Sequence, residues 1–121
     1  MNPLALSQVA LLFAYAAGMA GGQLLFKAAA LRDVADAPLA ERFLGLLGNA
    51  YFLAAVALYG ALTVVWVWLL TFTPLSRAYP FVALAFAVTP LLGALVFGEP
   101  MTMRLILGIG LILGGLLLVA A

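Results

Sequence analysis

The chain has 121 residues, 69% of them hydrophobic and 7% charged, with a net charge of +1. A soluble domain carries about 25% charged residues, so lipid is the solvent these side chains suit. Cysteine and histidine are absent and only four carboxylates remain, which leaves nothing from which to build a nucleophile–base pair or a metal-ligand set. The expectation is a protein that is not an enzyme, needs no cofactor or metal, and, lacking a basic cluster, has no nucleic-acid partner.

A bilayer core about 30 Å thick takes about 20 apolar residues of helix, and four segments supply them. The first, about 4–26, lacks the basic start of a signal peptide and has too long an apolar run for one, so it is expected to remain as a transmembrane helix. Residues 27–45 form a long, charged connection whose LRDVADAPLAERF suits an amphipathic turn at the membrane interface, limited by Pro38. The second span is expected at 46–72, the third at 75–97 and the fourth at 103–121, joined by TFTP and GEPMT. The predicted fold is all-α. It is one polytopic transmembrane domain, residues 1–121, of four helices whose backbone groups are satisfied internally because lipid offers no partner.

Four spans put both ends of the chain and the 72–75 loop on one side, called side A, and the other two loops on side B. Lys27, Arg32, Arg42 and Arg104 fall on side B and Arg77 alone near side A, so side B is expected to be cytoplasmic. Trp66 and Trp68 at one end of the second span, with Tyr51 and Phe52 at the other, fit aromatic belts. Small residues recur at Ala14, Gly18 and Gly22, and at Gly108, Gly110, Gly114 and Gly115. Such stripes let helix backbones approach closely, either within one protomer or, on the fourth helix, across a dimer seam.

Polar residues inside spans usually face a cavity or a partner. Gln23 and Lys27 lie four apart and share a helix face; Lys27 can also snorkel to the side B headgroups. Glu99 is expected to pair with Lys27 or Arg104, with Pro100 opening the fourth helix. Arg77 either snorkels to side A or offers its planar guanidinium to a phosphate. Tyr79 adds a phenol donor beside it, and Pro80 removes a backbone donor near a helix start, where the loss is tolerated. Pro90, in AVTPLL, is expected to bend the third span at mid-membrane, for a cavity or for packing.

GGQLLFKAA, TPLSRAYPFVAL and VFGEPMTMRLILGIGLILGGLLLV together resemble the drug/metabolite transporter superfamily. The length resembles its short four-helix branch, which holds the small multidrug resistance proteins and the paired flippase subunits for aminoarabinose-phosphoundecaprenol. The GEP ending is shared across the superfamily, whereas GQ…K with AYP is closer to the flippase subunits. The resemblance implies a bacterial inner-membrane transporter that moves a polyprenyl-phosphate-linked sugar between leaflets, with Lys27, Arg77, Tyr79 and Gln23 meeting the cargo. It also implies a homodimer, or a heterodimer with a related four-helix subunit. In an antiparallel pair, Lys27 of one copy would share a leaflet with Arg77 of the other. The drug exporters of that branch carry an acid in the first helix about eight residues before the lysine, where Met19 stands here. Their tyrosine in the third helix corresponds to Tyr79. The alternative function is export of a cationic drug or metabolite through Tyr79, Phe81, Phe86 and Trp66. A third is a non-transporting subunit that packs on a partner through its glycine faces.

Overall fold

The computed structural model describes residues 4–33 and 36–120, and everything below refers to these. The expected helix end at Ala121 lies outside them. Helices α1 (Leu6–Ala30), α2 (Leu39–Leu47) and α3 (Ala50–Leu70) are followed by a short α4 (Leu75–Ala78), a 3-10 turn (Tyr79–Val82), α5 (Ala83–Phe97) and α6 (Met103–Ala120). No strand occurs among the described residues. Four segments are long and apolar enough to cross a membrane: α1, α3, the run from Leu75 to Phe97, and α6. The protein is a multi-pass, all-α membrane protein.

The spans differ from the sequence reading at their ends, for local reasons. Span α1 continues through Lys27 to Ala30, because a lysine near a helix C-terminus suits the dipole and no breaker follows it directly. Pro38 starts α2 rather than shortening it, sitting at the N-cap where a proline costs no hydrogen bond. Gly48 ends α2, and Asn49 then caps α3, its Oδ1 accepting from the Tyr51 and Phe52 backbone N–H groups at 3.1 and 3.3 Å. Residues 46–49, counted with the second span on hydropathy, are therefore a helix end and a hinge. Helix α5 is continuous through Pro90, and a 3-10 turn at Tyr79–Val82, around Pro80, precedes it.

Side chains bind the elements at both ends. On side A, Gln8 accepts from the Ala5 N–H at 2.8 Å and donates to the Phe72 carbonyl at 2.9 Å and to Thr73 at 3.3 Å. On side B, the Asn49 amide donates to the Ala29 carbonyl at 3.1 Å, meeting one of the orphan acceptors of the α1 end. Arg42 donates to Asp33, an ion pair that fastens α2 to the end of α1. The Asp33 carboxylate, by hydrogen bond and by charge, raises the Arg42 guanidinium above its ordinary range.

Helix α1 is the centre of the bundle, packing against α3 on one side and α5 on another, while α6 packs chiefly on α5. The α1–α3 seam is made by glycines. A Cβ on Gly22 would overlap the Tyr59 ring, and one on Gly18 would stand 3.0 Å from Leu62. By contrast, a Cβ on Gly108, Gly110, Gly114 or Gly115 would meet nothing within 4 Å, so α6 turns these glycines outward. The buried core is at side A, where Leu12, Leu69, Ala78, Phe81 and Leu116 meet. Outside it, large apolar side chains such as Leu95, Leu111 and Leu118 are exposed, as suits a surface that faces lipid.

Candidate functional site

From mid-membrane to side B the bundle is less full. Met19, Gln23 and Lys27 recur every four residues of α1 and so line one face of it, opposite Phe86, Thr89, Pro90, Gly93 and Phe97 of α5. Two hollows of about 360 and 340 Å³ lie between these walls and share Gln23, Thr89 and Pro90. They are consecutive stretches of one groove. The upper stretch is mostly apolar, with Met19, Val82, Ala85 and Phe86. The lower one gathers Lys27 and Glu99 at the side B mouth, with Pro100 and Leu105.

Each polar group of the groove is positioned by a local feature. Gln23 is held by Tyr59: its Nε2 donates to the phenol oxygen at 2.6 Å, and the phenol donates to the Met19 carbonyl at 2.9 Å. Gly22 makes room for that ring, and Phe26 stacks on its other side at 5.4 Å. Glu99 follows the left-handed Gly98 (φ 67°), whose N–H closes the end of α5 on the Ala94 carbonyl at 3.1 Å. That turn folds the carboxylate back over α5, where the missing side chain of Gly93 leaves space; a Cβ there would stand 3.1 Å from Glu99 Oε1. Thr89 Oγ1 is buried and makes no hydrogen bond. Beside it, Pro90 has no N–H to give the Phe86 carbonyl.

The groove thus collects Gln23, Lys27, Glu99 and Pro90 from the expected residues. Neither Lys27 nor Arg104 closes to an ion pair with Glu99 among the described residues, so the expected pairing is replaced by two opposite charges on facing walls. Arg104 is exposed on the first turn of α6. Arg77 and Tyr79 lie elsewhere. Arg77, on α4 beside the side A core, is half-buried, with its Nε and Nη2 covered by protein. Tyr79 is exposed, edge-on to Trp66 at 6.2 Å, and lines a shallow side A hollow with Trp66, Leu75, Ser76 and Pro80. Of the aromatics weighed for a cation pocket, only Trp66 and Tyr79 stay together. Phe81 is buried against Phe13, Phe86 lines the groove, and Trp66 stacks on Tyr15.

Tyr59 and Thr89 were not singled out from the sequence. Thr89 stood in the quoted AVTPLL, where a hydroxyl next to a mid-span proline is a usable signal. Tyr59 gave none, because its partner depends on how α3 is rotated against α1. Among the described residues no cluster of acids suits a metal ion.

Four apolar spans, with a groove between the first and third that carries a few polar groups, describe a multi-pass membrane protein with a hollow inside its bundle. The whole chain, residues 1–121, matches the EamA-like transporter family, and the protein belongs to that family. It is similar to a protein of Hamiltonella defensa named as a probable 4-amino-4-deoxy-L-arabinose-phosphoundecaprenol flippase subunit, ArnE, with 38% identity over 66 residues. That match covers 54% of this chain and spans 59% of the relative's length. No solved structure matches the chain.

Proposed function

We propose that this transporter moves a polyprenyl-phosphate-linked sugar between the leaflets of a bacterial inner membrane, with the α1–α5 groove as the path of the headgroup. The observation that carries the reading is the groove itself. It runs from an apolar stretch at mid-membrane to a charged mouth at side B, and its walls hold Gln23 and Lys27 at the spacing of one helix face. A lipid tail can remain outside in the acyl chains while the headgroup follows the groove. That arrangement keeps the phosphate beside Lys27 and the Gln23 amide instead of exposing it to hydrocarbon. Placing charge at the mouth avoids most of the penalty for a charge at the bilayer centre. Similarity to a flippase subunit for a phosphoundecaprenol-linked amino sugar supports the cargo class, and an amino group on such a sugar would find Glu99 on the facing wall.

Arg77 supplies the second phosphate contact in this reading. Its guanidinium is half-buried at the closed end of the bundle, and it would meet the phosphate when that end opens to side A or when a second subunit brings its own groove alongside. The dimer, whether with a second copy or with a related four-helix chain, is part of the proposal.

The test is leaflet exchange in vesicles that hold the purified protein and a fluorescent polyprenyl-phosphate sugar. Protein-dependent exposure of the inner pool is expected, and Lys27→Glu should slow it about tenfold or more, the equivalent of about 1.4 kcal/mol of binding. Arg77→Glu should abolish it with membrane insertion intact. Normal exchange by Lys27→Glu contradicts the groove as the path, and normal exchange by Arg77→Ala removes Arg77 from it. Exchange seen only after adding a related four-helix subunit identifies a heterodimer; no exchange in either format rejects the cargo.

A further inference from the structure

We propose that α2 is an interfacial anchor, lying along the side B surface of the bilayer with Leu39, Phe43, Leu44 and Leu47 at the boundary between headgroups and acyl chains. No residue of α2 is buried, and these four side chains are each 66–67% exposed. At helical spacing they form, with Ala40, one continuous apolar face. The rest of the helix is accounted for within the protein. Arg42 and Leu46 are half-buried on the side turned to the end of α1, where Arg42 donates to Asp33, and a hollow of about 240 Å³ between that side and the helix ends is lined by Arg32, Asp33, Glu41 and Asn49. The apolar face is therefore turned mostly away from the chain, with only its Leu39 and Phe43 edge bordering a hollow of about 300 Å³ against Ala30 and Asp33.

The height of α2 follows from its connections. Gly48 and Asn49 separate it from α3, and the Asn49 side chain is hydrogen-bonded to the last turn of α1 at Ala29. The helix thus lies where two spans leave the membrane, and its apolar face continues their lipid-facing surface. A short helix with one strongly apolar face at that level belongs in the interface plane, its apolar face sunk about 5–10 Å. Its own charges, Glu41 and Arg42, cancel, and Arg42 is already engaged by Asp33. Apolar area, not attraction to anionic lipid, is what holds it. The inference does not depend on the cargo.

The absence of cysteine in the chain makes the test clean. Single cysteines placed at positions 39 to 47 of the full chain, each carrying a nitroxide label, are read in vesicles of zwitterionic lipid. The two colliders are oxygen, which dissolves in lipid, and a water-soluble nickel chelate. Labels at 39, 43, 44 and 47 are expected to show high oxygen and low nickel accessibility, and those at 41 and 45 the reverse, with no change when anionic lipid is added. High nickel accessibility at 39, 43 and 47 would place the face in water and overturn the proposal. Low accessibility to both colliders there would mean that another protein chain covers it, which also overturns it.

Discussion

The two halves of the bundle use the same kinds of residue to opposite ends. At side A, Leu12, Leu69, Ala78, Phe81 and Leu116 close on one another, and Gln8 ties the start of α1 to the α3–α4 loop. Toward side B, α1 and α5 hold a groove between them instead of a core, with Gln23, Thr89, Lys27 and Glu99 on or beside its walls. The difference arises at Tyr59. Gly18 and Gly22 draw α3 tightly onto α1, and the Tyr59 phenol takes up Gln23 from that side, which leaves the α5-facing side of α1 unfilled below Met19. In the proposed function the packed end would hold the helices in register and the looser end would admit the headgroup.

Substitutions can break this contrast, the largest expected effect coming first. Phe81→Ala empties part of the side A core and should cost about 3 kcal/mol of stability or more. Phe86→Ala, on an exposed groove wall, should cost less than about 1 kcal/mol, as surface changes do. Reversible unfolding in mixed micelles measures both, and equal costs would mean that the groove is as tightly packed as the core. Gly22→Ala forces a Cβ into the Tyr59 ring and should cost about 1–3 kcal/mol as an overpacked contact does. Gly110→Ala, on the open face of α6, should leave the unfolding of the isolated chain within about 0.5 kcal/mol of wild type. If Gly110→Ala nonetheless lowers self-association by chemical crosslinking, the outward glycines form a subunit seam. About as large a cost as that of Gly22→Ala is expected from Tyr59→Phe. It removes the hydrogen bonds to Gln23 and Met19, worth about 1 kcal/mol each in stability, and releases Gln23, so leaflet exchange should fall more than stability does.

Much of this architecture was legible because lipid leaves the chain few choices. Spans of about 20 apolar residues had to be helices, and Gln23 and Lys27 had to share a face. The helix ends were less so. The run at 46–49 has the hydropathy of a span but carries the signals of a stop and a cap, Gly48 and Asn49, which hydropathy does not weigh. A bend was expected at Pro90, which lies inside a continuous α5, and the irregular turn at Pro80 was not foreseen. The groove was half-legible. Its α1 wall and the side A position of Arg77 followed from the sequence, whereas its α5 wall depends on helix rotations that no periodicity specifies when a span is apolar all round.

The claim that the groove is the headgroup's path is tested most directly by photolabelling. A polyprenyl-phosphate sugar with a photoreactive group on the headgroup is irradiated in vesicles with the protein, and the labelled residues are found by peptide mass mapping. The account predicts adducts on the groove walls, at Leu24, Phe86 or Leu105, reduced in Lys27→Glu. Adducts confined to the side A hollow at Trp66 and Tyr79, or groove adducts unchanged by Lys27→Glu, would contradict it.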